Sequence, residues 1–215
     1  MGNWDFYSPY PKQLVNGFIQ RIFQPLLQWS WLVSVPLLIS QRFSIKSMAV
    51  ANGQFLIIKK DAYLKSGGHA SVKSEVLDDL MLARKLLRSG FKGGVGEASA
   101  VASCHMYGTG KELIKGYQKS LWKAFGSIPG TLFAIFLLFI TGVLPLLSAV
   151  AGSSAGLIAF GLIVLSRIVA AIRTGGLPNT ALLHPVAISF LIGLIAYSWF
   201  GKVTKTLTWR DRLVA

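Results

Sequence analysis

Glu75, Asp78 and Asp79 put three carboxylates within five positions of a chain that owns eight acids against 22 lysines and arginines. An ionised carboxylate within hydrogen-bond reach of a hydroxyl can take its proton as that oxygen attacks, which makes the cluster a candidate general base. Acids at the same place can instead open a helix, accepting from free backbone N–H groups and facing the positive end of the helix dipole. Residue types alone leave both uses open. His69 follows the pair Gly67-Gly68, and His105 is a candidate metal ligand, although a lone histidine without visible partner ligands more often serves structure. Cys104 is the only cysteine, so neither an internal disulfide nor a cysteine metal cluster can form, and it reads as a packed residue of a strand beginning at Val101.

The acids need elements to hold them. Phe55 to Ile58 predicts a buried strand, Asp61 opens a short helix, and Gly67-Gly68 makes a turn. A helix follows over Asp79 to Ser89, with Leu80, Ala83 and Leu87 at helical spacing and Gly90 as its stop. Phe91 to Gly96 and Glu97 to Tyr107 then read as short strands and turns that return the chain to a sheet.

From Asn52 to the leucine-rich helix the order of these pieces resembles the C-terminal half of the catalytic domain of family 2 glycosyltransferases, in the membrane-bound branch that includes carotenoid and hopanoid glycosyltransferases. There a strand of the form N-G-x-F-hydrophobic leads through G-G to an acidic pair and a leucine/alanine helix, matched here by Asn52-Gly-Gln-Phe55, Gly67-Gly68 and Asp78-Asp79. The resemblance implies an α/β, partial GT-A-like domain followed by transmembrane helices. It implies inverting transfer of a sugar from a nucleotide-sugar donor to a lipid or carotenoid-type hydroxyl, with Asp79 as general base beside Asp78. Gly67, Gly68 and His69 would line the acceptor side. Gln118-Lys-Ser-Leu-Trp122 is similar to the Q-Q/R-x-R-W motif of processive members, in which the tryptophan helps bind the acceptor, and Leu121 departs from its arginine. The complete family enzyme uses a divalent metal, Mg or Mn, on a D-x-D motif in an earlier nucleotide-binding half. This chain has no D-x-D and no room for that half before Asn52, so it is expected to be a partial protein that does not bind donor alone, or a non-catalytic membrane partner of a separate donor-binding chain.

Composition sets the surroundings. With 53% hydrophobic residues and a mean hydropathy of +0.54, the chain is too apolar for an ordinary soluble domain and reads as a membrane protein. Its formal charge is +14, but the basic residues stand beside and between apolar segments, which points to phospholipid headgroups or a sugar diphosphate and not to nucleic acid. Thr109-Gly-Lys-Glu112 is a capping box, so a helix starts there. Lys111, Lys115, Lys119 and Lys123 recur along it as one slanting stripe that could meet lipid, diphosphate or water. Trp122 on that helix could equally anchor at an interface.

From Lys123 to Arg167 no residue is charged, which is too long for one crossing and predicts a hairpin, Ile128 to Val150 and Ala155 to about Ala171, turning at Ala151 to Ser154. A third apolar run covers Thr180 to Phe200. Arg167 and His184 stand near the ends of these runs, and intramembrane ionisable groups are otherwise almost absent, which argues against a transport site. Ile22 to Gln41 is uncharged but carries Gln24, Pro25, Gln28 and Pro36, so a segment lying in the headgroup layer suits it better than a span, with a helix packed on the protein as the remaining alternative. The resulting division is 1–50 interfacial, 51–127 catalytic-like, 128–200 transmembrane with two to three helices, and 201–215 a basic tail, the catalytic part facing the cytoplasm. One conflict stands. Three crossings would separate the basic tail from the lysine helix, whereas the positive-inside rule wants both on one side, so either the third run is re-entrant or the hairpin is wrong.

Overall fold

The computed structural model describes residues 4–34, 43, 49–75, 77–209 and 212–213. The chain divides into two compact units, an α/β unit of Met1–Leu14 with Ser30–Cys104 and a helical unit of Val15–Trp29 with His105–Ala215.

The α/β unit is built on β1 (Phe6–Tyr10), the central strand of a three-stranded sheet. It runs antiparallel to β3 (Ile57–Ile58), with Phe6 opposite Ile58, and parallel to β4 (Gly93–Glu97), from Phe6 opposite Gly93 to Tyr10 opposite Glu97. Pro9 is tolerated because β3 pairs only with Phe6 and Tyr7, so Pro9 sits where the strand has one neighbour. Glycine recurs in β4 because the rings of Phe6 and Tyr7 occupy the space that a Cβ at Gly93 or Gly96 would need. A parallel pair, β2 (Lys12–Gln13) with β5 (Ser103–Cys104), continues this strand pathway.

Two helices cover the sheet region, α2 (Lys60–Lys65) and α3 (Asp78–Arg88). Helix α3 turns Leu82, Ala83, Leu86 and Leu87 into a core shared with Phe6, Ala62 and Val72, and it ends at Gly90, whose φ of +86° suits glycine.

Three expectations change here. Residues 6–10 belong to the sheet and not to a separate 1–50 segment. The strand expected over Phe55 to Ile58 shortens to Ile57–Ile58, because Gly53 to Phe55 turn, and it is only half-buried. Asp61 lies in the first turn of α2 but makes no cap, the capping position being Lys59.

In the helical unit, α1 (Phe18–Ser34) packs its first three turns inward. Phe23 is fully buried, edge-on to Tyr117 and Phe190, and Leu26 joins the same core. This part of Ile22 to Gln41 is therefore a packed helix, while residues 35–42 lie outside the described residues. Helix α4 (Gly110–Ala124) starts at the expected capping box: Thr109 Oγ1 accepts from Glu112 N at 3.2 Å, and Glu112 reaches back to Gly108 N at 3.0 Å. The apolar part comprises α5 (Ile128–Gly142), α6 (Leu144–Val150), α7 (Ser154–Arg173) and α8 (His184–Val203). Ser127 and Ser153 cap α5 and α7. Among the described residues three segments are long and apolar enough to cross a membrane: Ile128–Val150, Ser154–Arg173 and Pro178–Val203.

The contacts of α8 bear on the topology conflict. Trp199 Nε1 donates to Thr131 Oγ1 at 3.1 Å, and Gly142 lies against Ile188, so α5 and α8 run antiparallel. Trp122 N donates to Ser198 Oγ at 2.9 Å, and Ser198 Oγ donates to Gln118 O. The Lys202 ammonium sits 4.0 Å from the Trp122 ring centroid and 4.8 Å from that of Trp199. The basic end of α8 thus lies at the same end of the unit as the basic end of α4. The chain arrives there because Pro178–Leu183, a 3-10 turn, folds back along α7. His184 and Arg167 both lie against the indole of Trp29, which donates to Ser166.

Candidate functional site

Within the α/β unit a cleft of about 750 Å³ is lined by the turn Gly53 to Leu56, by Ile58, by Lys60 and Tyr63 of α2, by His69, and by Asp78 and Asp79 at the start of α3. The local sequence explains how these groups meet. Gly53 to Phe55 turn before β3, α2 begins immediately after β3, and Gly67-Gly68 reverses the chain so that His69 returns to Tyr63. Tyr63 Oη lies 2.9 Å from His69 Nδ1 and accepts from His69 N at 3.1 Å. Gly68, with φ +52° and ψ −156°, takes a backbone conformation open only to glycine, and a Cβ there would stand 2.5 Å from the Tyr63 ring. Gly67 and Gly68 therefore shape the turn, and it is His69 that faces the cleft.

Asp79 serves two masters. Its Oδ1 accepts from Leu80 N at 2.7 Å, satisfying a free amide of the first helical turn, and its Oδ2 accepts from Gly53 N at 2.8 Å. Asp78 Oδ1 accepts from Asp79 N at 3.1 Å. The helix-opening use of the acids is thus realised, while the residue at the capping position, Leu77, offers no side chain to do it. Each carboxylate oxygen holds more than one acceptor lone pair, so Asp79 remains able to accept from a group in the cleft. The turn that holds it is itself fixed: Ser8 Oγ accepts from Asn52 N at 2.7 Å, and Gln13 Nε2 donates to Gln54 Oε1 at 2.6 Å.

Gln118 and Trp122 lie in the helical unit, where they contact α4 itself and α8. Leu121 is buried in that unit's core. His105 is exposed, with Nε2 3.5 Å from Asn16 Nδ2. Among the described residues no three His, Cys, Asp or Glu side chains converge as a group that could hold a metal ion. Burial pushes the Cys104 thiol above its usual range, in keeping with a packed residue.

The structure thus brings Asp78, Asp79 and His69 to one cleft and adds Lys60, Tyr63 and Gln54, which the sequence reading did not single out. Nothing in their spacing marked them, since they reach the cleft only through the turn before β3 and the return at Gly68. No family model, curated protein or solved structure matches the chain.

Proposed function

We propose that this chain is the acceptor-side part of a membrane-bound inverting glycosyltransferase, acting on a lipid or carotenoid-type hydroxyl. The observation that carries the reading is the meeting of Asp79, Asp78, His69, Tyr63 and Lys60 on a single cleft of about 750 Å³. In this reading the acceptor oxygen attacks the anomeric carbon, the bond from that carbon to the nucleoside diphosphate breaks, and the acceptor proton passes to Asp79. Tyr63 and His69 orient the acceptor, and Lys60 offers positive charge to the departing diphosphate. With no D-x-D motif in these 215 residues, donor binding is supplied from outside them.

The small sheet and α3 would then form the later half of a GT-A-like domain. The apolar segments would insert as two crossings, α5 with α6 and then α7, followed by the run that enters and leaves by one face. That arrangement keeps the lysines of α4 and Lys202 together on the cytoplasmic side, as the positive-inside rule asks.

A second reading, a non-catalytic partner subunit, is favoured by the engagement of both Asp79 oxygens with backbone amides. Asp79→Asn keeps a carbonyl acceptor for one of these amides and separates the two readings. Sugar transfer would be followed in membranes of cells expressing the chain, using labelled nucleotide sugar and lipid extraction. As a general base Asp79 is worth about 10²- to 10⁴-fold in rate, so the variant should accumulate normally yet lose transfer to that extent. Chain-dependent transfer left unchanged by Asp79→Asn would rule out the base. The purified chain alone should also bind nucleotide sugar more weakly than about micromolar, a standard free energy of about −8 kcal/mol.

A further inference from the structure

The helical unit buries a set of polar groups that it does not pair. Arg167 is 2% exposed, and neither Nη1 nor Nη2 has a hydrogen-bond partner. His184 is 1% exposed with Nδ1 unpartnered, Gln24 is 3% exposed with both amide atoms unpartnered, and Gln28 leaves Nε2 unpartnered. Two of these groups, Arg167 and His184, meet at Trp29. Trp29 donates through Nε1 to Ser166 Oγ at 2.9 Å, which fixes its indole. Against that indole lie the guanidinium of Arg167, 6.0 Å from the ring centroid, and the His184 ring, edge-on at 4.8 Å. Gln24 and Gln28, one helical turn apart, share a face of α1 just before Trp29.

A guanidinium stays charged at any ordinary pH, and a buried charge without a counter-ion is strongly disfavoured. The helical unit offers Arg167 little of its own. Among its described residues the one acid, Glu112, is exposed and turned to Gly108 N at the start of α4. We propose that Arg167, with Gln24, Gln28 and His184, binds a phosphate group, supplied by the headgroup of a membrane phospholipid. The set is rich in donors: the two guanidinium nitrogens and the two glutamine amides, joined by His184 Nδ1 when it carries a proton. It suits a group that presents several acceptor oxygens, and Arg in particular matches phosphate through paired N–H bonds.

Depth selects the source. Arg167 precedes the end of α7 by six residues, about 9 Å along the axis, within reach of a headgroup drawn inward toward a snorkelling side chain. The site shares no residue with the Asp79 cleft and does not depend on the transferase reading.

Native mass spectrometry of the full chain in neutral detergent tests it, with phosphatidylglycerol and diacylglycerol as probes that differ in the phosphate-bearing headgroup. The wild-type chain should retain phosphatidylglycerol and not diacylglycerol, and Arg167→Gln should weaken retention about tenfold or more. Lys205→Gln, an exposed charge elsewhere, should leave it unchanged. Competition by millimolar inorganic phosphate would support the phosphate site and make free phosphate its source, whereas retention against that phosphate supports the lipid. Equal retention by Arg167→Gln, or equal binding of diacylglycerol, overturns the proposal. Should Arg167→Gln fail to fold, Gln24→Leu must weaken retention several-fold, and no change would overturn the proposal equally.

Discussion

The two units treat buried polar groups in opposite ways. In the α/β unit Ser8 is fully buried, yet its Oγ accepts from Asn52 N and lies within donating distance of Asn52 O and Phe55 O, while Asn52, Gln54 and Gln13 link side chain to side chain. Only Arg84 Nε, among the described side-chain atoms of that unit, is buried without a partner. In the helical unit Gln20, Gln24, Gln28, Arg167 and His184 all carry such atoms. A satisfied network fixes the turn that holds Asp79, so its polar residues are part of the frame. An unsatisfied set in an apolar bundle has the opposite character, stabilised by what binds it and not by its neighbours.

Changes in the two units should therefore differ in sign. Ser8→Val leaves the Asn52 amide buried without its acceptor and should destabilise the α/β unit by about 3 kcal/mol, read as faster hydrogen exchange of the 52–55 amides. Protection equal to wild type would break the contrast. Gly68→Ala strains the backbone and pushes against Tyr63, at a cost of about 2 kcal/mol, and should lower the thermal midpoint while uncoupling Tyr63 from His69. Gln24→Leu removes an unpaired buried amide from the helical unit and should raise the stability of the delipidated chain by about 1 kcal/mol, measured by thermal unfolding in detergent; a loss would mean that Gln24 is satisfied after all.

The smallest effect is expected at Asp5. The backbone N–H of Lys92, aided by the Lys59 ammonium 3.2 Å away, holds its carboxyl below the usual carboxylate range. A lowered folded pKa stabilises above the unfolded value, so this contribution is complete above about pH 4 and fades as acid protonates Asp5 in the fold. Asp5→Asn should flatten the stability profile below about pH 4 and leave the neutral range nearly unchanged, because the pair is partly exposed.

Much of the helical unit could be read from the chain. The uncharged interval after Lys123 gave the hairpin, and Thr109 with Glu112 gave the start of α4, because both signals are local. The sheet was hidden for the opposite reason. Residues 6–10 look like an aromatic, proline-containing loop until paired with β4, and β4 looks like a glycine turn until the rings of Phe6 and Tyr7 fill its missing side chains. Gln24 and Gln28 suggested an interface because polar residues in an apolar run usually seek water, and only the packing of α1 shows them enclosed. Of the cleft, the acidic pair was visible as a cluster in an acid-poor chain. Lys60 and Tyr63 were not, since ordinary residues of a short helix carry no mark of what they face.

The seat of Lys202 between two indoles makes α8 a measured rod. Ser198, Gly201 and Lys202 all meet α4 from one side, so a single residue added between Pro185 and Ser198 would swing that side away by about 100° and lengthen the rod by about 1.5 Å. Letters on the outward face of α8 can drift freely, but its count of residues cannot.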